Sequence, residues 1–225
     1  MRSDQKSRKE ILKPIISVFL VGVAGISIPP LRGLFLGLTF FILIAGFLLL
    51  LLNDGNGRRG QIFFISVIIL TFFLEVAGVK SGQIFGVYAY GDNLGPKLLE
   101  TPLIIGFNWA ILAYSSSTIA RGVLGTLLPV TGRTVAKISV VFTASLIMVL
   151  IDIILERVAP LAGFWSWQGG IVPVRNYVAW FVSAIIINSG IVLFEIDTKN
   201  RVAVPLILAM TLFLTITYMI LILCP

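Results

Sequence analysis

Histidine is absent from this 225-residue chain, and cysteine occurs once, as Cys224. Those two shortages remove several chemistries together. Histidine-box di-iron oxygenases, haem centres with a His ligand, Cys/His zinc sites and Ser-His-Asp triads all lack their parts. Charge is scarce as well. Only 12% of the residues are charged, against roughly a quarter in an ordinary soluble domain. A soluble enzyme, a disordered tail and a secreted disulfide scaffold are therefore excluded. Acids are outnumbered by bases, 10 against 17, for a net charge of +7. In a chain that is 58% hydrophobic with mean hydropathy +1.04, that excess reads as the loop bias of a membrane protein. No nucleic-acid partner is expected.

What the chain does have is apolar runs near the length that crosses a bilayer. They fall at 14–29, 32–52, 61–79, 102–120, 135–156, 177–195 and 203–223. The expectation is an all-α, polytopic bundle of about seven transmembrane helices, forming one membrane domain over 1–225. The first run is short and follows basic residues, as a signal peptide would. It lacks a small-x-small cleavage pattern and is read as a retained helix. Basic residues set the direction. With the N-terminus cytoplasmic, twelve of the 17 Lys and Arg fall on that side, as the positive-inside rule requires. The long connections at 80–101 and 157–176 then share the outer face. Gly33 and Gly37 form a GxxxG in the second run, a pattern that permits close helix approach.

Acids inside apolar spans are costly and usually face a cavity or a partner. Asp4, Glu10, Asp54, Glu195 and Asp197 lie in or beside cytoplasmic segments and read as solvated. Asp92 and Glu100 sit in or beside the outer connection and read as helix starts. Three acids remain: Glu75 near the outer end of the third run, and Asp152 and Glu156 at the outer end of the fifth. The i, i+4 spacing of the last two puts both on one helix face. Structural readings compete: an ion pair of Glu156 with Arg157, and an interhelical bond for Glu75. Asn108, Asn176 and Trp180 lie at a similar depth. The asparagines suit interhelical hydrogen bonds or the binding of substrate or water.

The two outer connections are rich in glycine and aromatics. One carries Phe85, Tyr88 and Tyr90; the other carries Phe164, Trp165 and Trp167, followed by Tyr177 and Trp180. Aromatics at this depth form the ordinary interfacial belt. Two such loops facing three acids look more like a lid over a lipid-accessible pocket, since non-helical backbone at that depth needs protein or water around it.

The same residues carry a family resemblance. The stretches ExxGxxxGxxFGxYxYxxxLGPxxxxxPxxxxxxW, Glu75 to Trp109, and DxxxE(x8)WxW(x5)PxxNxxxW, Asp152 to Trp180, resemble the CruF-type carotenoid biosynthesis proteins. These are integral-membrane carotenoid 1′,2′-hydratases, the archaeal bisanhydrobacterioruberin hydratases among them. The likeness covers about the middle half of the chain, with hydropathy agreeing elsewhere. It departs at Glu156-Arg157, where the family is expected to have Asp-Pro, at Ala179 in place of a Gly, and at Glu100 in place of a small residue. The missing proline puts the local loop shape in question.

The resemblance implies a hydro-lyase of a prokaryotic cytoplasmic membrane that uses no cofactor and no metal. Its implied substrate is a bilayer-embedded ψ-end carotenoid of the lycopene or γ-carotene type, with other carotenoid-pathway enzymes as implied neighbours. Hydration needs a proton on one alkene carbon and water on the tertiary cation that results. Apolar surroundings and a nearby second carboxylate favour the protonated form of an acid. Asp152, Glu75 and Glu156 are the catalytic candidates, with Asp152 as donor. Tyr88, Tyr90, Trp165 and Trp167 would shield the cation, and Asn108 or Asn176 would hold the water. Trp109 and Trp180 complete the substrate-binding set. A carotenoid cyclase, a membrane prenyltransferase, and a proton-coupled transporter or lipid-binding scaffold are the competing readings.

Overall fold

In the computed structural model the described residues are 2–125 and 132–224, with side chains from Leu12 onward. Asp4, Glu10 and the tail cations Arg2, Lys6, Arg8 and Lys9 thus have side chains outside the described set. A helix satisfies its own backbone groups, which an apolar medium demands, and every apolar run is helical. The helices are α1 (Arg2–Ser27), α2 (Pro29–Gly37), α3 (Thr39–Leu52), α4 (Arg58–Ser81), α5 (Ile105–Leu124), α6 (Arg133–Val158), α7 (Val174–Leu193) and α8 (Ala203–Leu223). Four of them, α4, α6, α7 and α8, are long and apolar enough to cross a membrane, and the bent α2–α3 pair brings the count to five at most. The protein is multi-pass.

The boundaries follow local chemistry. Pro29 and Pro30 open α2, where a missing N–H costs nothing. The run at 32–52 is not one straight helix: it breaks at Leu38, and α2 and α3 meet at 45°. Gly82 ends α4 in the left-handed conformation, φ 61°, donating its N–H to the Gly78 carbonyl, a closure that glycine makes without a Cβ penalty.

Helix α5 runs through the middle, packed by α3, α4, α6, α7 and α8. Every residue from Asn108 to Ser117 is buried. That enclosure accounts for three consecutive serines in a membrane protein, since they face other helices and not lipid. Close approach of α4 and α5 depends on Gly106: a Cβ there would sit 2.5 Å from the Ile68 carbonyl oxygen. The GxxxG glycines serve no such purpose, because a Cβ at Gly33 or Gly37 meets nothing within 4 Å.

Short strands tie the loops at one end. β1 (Tyr88–Tyr90) pairs antiparallel with β4 (Trp165–Trp167), and β2 (Lys97–Leu98) pairs with β3 (Thr101–Pro102). Leu99 and Glu100 form the β2–β3 turn with φ of 53° and 67°. Both being left-handed is the two-residue hairpin geometry usually given to Asn-Gly. Glu100 is therefore a turn residue and not a helix start, and α5 begins at Ile105. Asp92 does not start a helix either. It pairs with Lys97 at 2.8 Å, and that hydrogen bond and charge hold its carboxyl below the usual range.

At the other end a polar network joins the loops flanking α4 and α8. Asp54 is half-buried and accepts hydrogen bonds from Tyr114 (2.9 Å) and Asn56 (2.6 Å). Asn56 also bonds reciprocally with the backbone of Asp197, both at 2.7 Å. Asp54 is thus a structural acceptor, whereas Glu195 and Asp197 keep exposed side chains.

The α4–α5 contact yields a stability test. Gly106→Leu should destabilise the detergent-solubilised protein by about 1–3 kcal/mol, the usual cost of overpacking. Gly33→Leu should leave the thermal midpoint within error. Equal midpoints for both variants would contradict the assigned helix seat.

Candidate active site

Glu75 stands near the C-terminal end of α4, and Asp152 and Glu156 stand near the C-terminal end of α6. All three are buried, at 3%, 0% and 3% exposure. A buried carboxyl needs compensating partners, and here those partners are neutral donors. Glu75 Oε2 accepts from the hydroxyls of Tyr88 (2.6 Å) and Tyr90 (2.9 Å), and Oε1 accepts from Trp109 Nε1 (2.9 Å). Glu156 Oε2 accepts from Trp165 Nε1 (3.1 Å) and Trp167 Nε1 (2.6 Å), and Oε1 accepts from Asn176 Nδ2 (3.1 Å). The same Asn176 amide donates to Asp152 Oδ2 at 3.2 Å. Asp152 Oδ1 has no partner among the described residues. Glu156 makes no ion pair with Arg157, which is exposed.

The β1–β4 ladder explains how one loop pair delivers four donors. Successive side chains of a strand point to opposite faces. Tyr88 faces Trp167 and Tyr90 faces Trp165 across the ladder, while Ala89 and Ser166 fall between them. YAY and WSW therefore put two phenols and two indoles on one inward face, with small side chains on the other. Hydrogen bonds from Gly91 to Phe164 and from Gln168 to Val87, both 2.9 Å, extend the pairing. Burial first, and the Glu75 charge second, push the phenols of Tyr88 and Tyr90 above their ordinary range, so both stay O–H donors. Gly78 leaves room for this: a Cβ there would sit 2.5 Å from the Phe85 ring, which packs edge-on to Tyr88.

Between these groups lies a cavity of about 20 Å³. It is lined by Glu75, Glu156, Tyr88, Tyr90, Asn108, Trp165, Trp167, Asn176 and Trp180, with Phe85, Ile105 and Leu155 completing the wall. A space of that size accommodates about one water molecule. Trp109 stands behind the wall, stacked on Trp180 with ring centroids 3.8 Å apart. Asp152 does not line the cavity and lies behind Asn176. The sequence reading thus gathers around one cavity, with Asp152 and Trp109 as its backing. It passed over Ile105 and Leu155, plain apolar residues on helices that no local signal distinguishes.

A larger apolar cleft of about 410 Å³ adjoins the cavity, and the two share Ile105, Asn108, Leu155 and Trp165 as lining. Nothing in the sequence announced it, since it is formed by helices distant along the chain.

The hydroxyl bonds to Glu75 can be tested separately from packing. Tyr88→Phe and Tyr90→Phe should each cost about 1–3 kcal/mol, the penalty for a lost buried hydrogen bond to a charged group. Most of that cost should vanish in a Glu75→Leu background. Additive losses in the double variants would contradict the assigned bonds.

Comparison with known proteins places the chain in a family. The family described as carotenoid biosynthesis protein matches residues 33–224, a range that contains every residue of the cavity. A bisanhydrobacterioruberin hydratase from Haloarcula japonica is 27% identical over 142 residues, covering 61% of this chain and 45% of that protein. The chain is thus aligned with less than half the length of that relative. No solved structure matches. With the family's match extending from α2 to the end of α8, this chain belongs to the carotenoid biosynthesis protein family.

Proposed function

We propose that this protein is a carotenoid hydratase that adds water across the terminal 1′,2′ double bond of a ψ-end carotenoid, of the lycopene or γ-carotene type. The observation that carries the reading is the water-sized cavity bounded by Glu75 and Glu156 and adjoining an apolar cleft across a shared wall. The family membership and the hydratase relative support it. A space for one water beside the chain end favours hydration over ring closure, which has to fold the chain back on itself.

The proton comes from the Asp152–Glu156 pair, bridged by one Asn176 amide. Two buried carboxyls so close, with no cationic partner among the described residues, are poorly able to carry two charges, and the proton belongs to the pair. Glu156 is the member that reaches the cavity. Transfer of its proton to C2′ consumes the double bond and leaves a tertiary cation at C1′. The cation lies among Tyr88, Tyr90, Trp165, Trp167 and Trp180, whose ring faces attract positive charge. Water held near Asn108 attacks C1′ and gives up a proton to Glu75, the carboxylate ringed by three donors. Return of that proton to the pair resets the site. The net change is one water added, with nothing oxidised or reduced.

The charge pattern completes the reading. Seven passes, reached by adding α1 and α5 to the five spans that meet the length and hydropathy criterion, with the N-terminus in the cytoplasm, would put the cavity toward the outer face of a prokaryotic cytoplasmic membrane, where a carotenoid arrives through lipid. Cys224 is exposed and is the sole cysteine, so a membrane-impermeant maleimide should label it in intact spheroplasts. Labelling only after lysis would reverse the orientation.

In a lycopene-producing host, Glu75→Gln, Glu156→Gln and Asp152→Asn should each cut the 1′-hydroxylated product by about 100-fold or more, the usual weight of general acid–base catalysis. Immunoblotting should find each variant still in the membrane. Full hydroxylation by the Glu75 or Glu156 variant would remove that residue from the mechanism.

A further inference from the structure

The 410 Å³ cleft takes no part in the proton transfers, yet it is about twenty times the volume of the acid cavity that it adjoins. Its walls come from α1, α2, α3, α5, α6 and α8 together with Leu94, Phe164 and Trp165 of the loops. Apart from the Trp165 indole N–H, which is bonded to Glu156, Ser17, Thr39 and Asn108 are the only polar side chains among its lining residues. Gly22 and Gly46 lie on its wall. Its rim includes Val18, Val21 and Leu38, which are 43%, 59% and 36% exposed, so it opens to the apolar surroundings between α1 and α3. Along α5 it runs from Ile104 to Leu112, about 12 Å at the helical rise per residue. Its inner end is the wall of Ile105, Asn108, Leu155 and Trp165 that it shares with the acid cavity.

We infer that this cleft is a binding site for the extended hydrocarbon chain of a linear isoprenoid, entering from the bilayer between α1 and α3 and presenting its terminal alkene to the acid cavity. Three features select that ligand class. The lining offers almost no hydrogen-bonding groups, so a headgroup or a sugar gains nothing there. The volume falls in the range of small-molecule sites and accommodates a section of a long chain, leaving the remainder in lipid. Asn108, at the inner end, borders both spaces; among the described residues nothing hydrogen-bonds to its amide, which leaves it available at the junction where hydrocarbon meets water. The inference rests on the isoprenoid reading of the site and adds to it where the chain lies and which side chains it would pack against, Leu43 of α3 and Met210 of α8 among them, both on the cleft wall.

Lycopene is the probe. The full-length protein purified in detergent is mixed with lycopene and its polyene band is followed by circular dichroism, because an achiral polyene acquires a signal only when held in a chiral site. The wild type should give an induced band. Leu43→Trp and Met210→Trp should weaken it at least tenfold, whereas Met210→Ala, which widens the cleft, should keep it. Leu212→Trp, on an exposed face of α8, should keep it as well. An unchanged band in Leu43→Trp and Met210→Trp would overturn the inference, as would equal loss in Leu212→Trp. So would native mass spectrometry showing a bound phospholipid that lycopene does not displace. Glu75→Gln should retain the band. A wild type that binds lycopene in the cleft but forms no hydroxylated product would sink the hydratase reading and leave the chain-binding site standing.

Discussion

Three carboxyl groups buried without a cationic partner among the described residues impose the constraint on which this end of the bundle is built. Charge in such surroundings is tolerable only when donors surround it, and Glu75 and Glu156 each receive three. Tyr and Trp suit this task because each has a polar edge on a large apolar body. The rings fill space against Phe85 and Trp180 while the O–H and N–H groups point at the acids. Lys or Arg would have paired with the carboxylates; neutral donors hold them in place without supplying an opposite charge. The short β1–β4 ladder is the device that delivers four donors from two loops.

Much of this was legible in the sequence, and the exceptions have physical reasons. Apolar runs specify helices directly, because a bilayer leaves the backbone few alternatives. The i, i+4 spacing of Asp152 and Glu156 fixed their common face, and Asn176 does join them. The break at Leu38 was hidden, since the Gly37 and Thr39 beside it sit in an otherwise continuous apolar run and no proline marks it. The pairing of Tyr88 with Trp167 joins residues far apart in the chain. Its trace was present all the same in the x-spaced repeats YAY and WSW, a strand period inside what read as loop. Gly33 and Gly37 misled, since a GxxxG reports a possibility of close packing and α4 and α5 use Gly106 instead. Glu100 misled as well, because Thr101-Pro102 resembles a helix start and a hairpin turn at Leu99-Glu100 intervenes.

The division between a small polar cavity and a large apolar cleft gives the account its chemical sense. Proton transfer to an unactivated alkene requires an acid, a water and the absence of other nucleophiles, which a space for about one water supplies. Recognition of a hydrocarbon requires area and few polar groups. The two demands conflict in a single pocket, and the proposed reaction would meet them on either side of one wall.

The account's central claim is that buried carboxyls move water-derived protons onto and off a hydrocarbon. Its most direct test is isotopic. Membranes containing the protein and lycopene are incubated in deuterium oxide enriched in oxygen-18, and the product is analysed by mass spectrometry and NMR. The account predicts one non-exchangeable deuterium at C2′ and oxygen-18 in the C1′ hydroxyl. A hydroxyl oxygen drawn from molecular oxygen, or a product without deuterium at C2′, would contradict it.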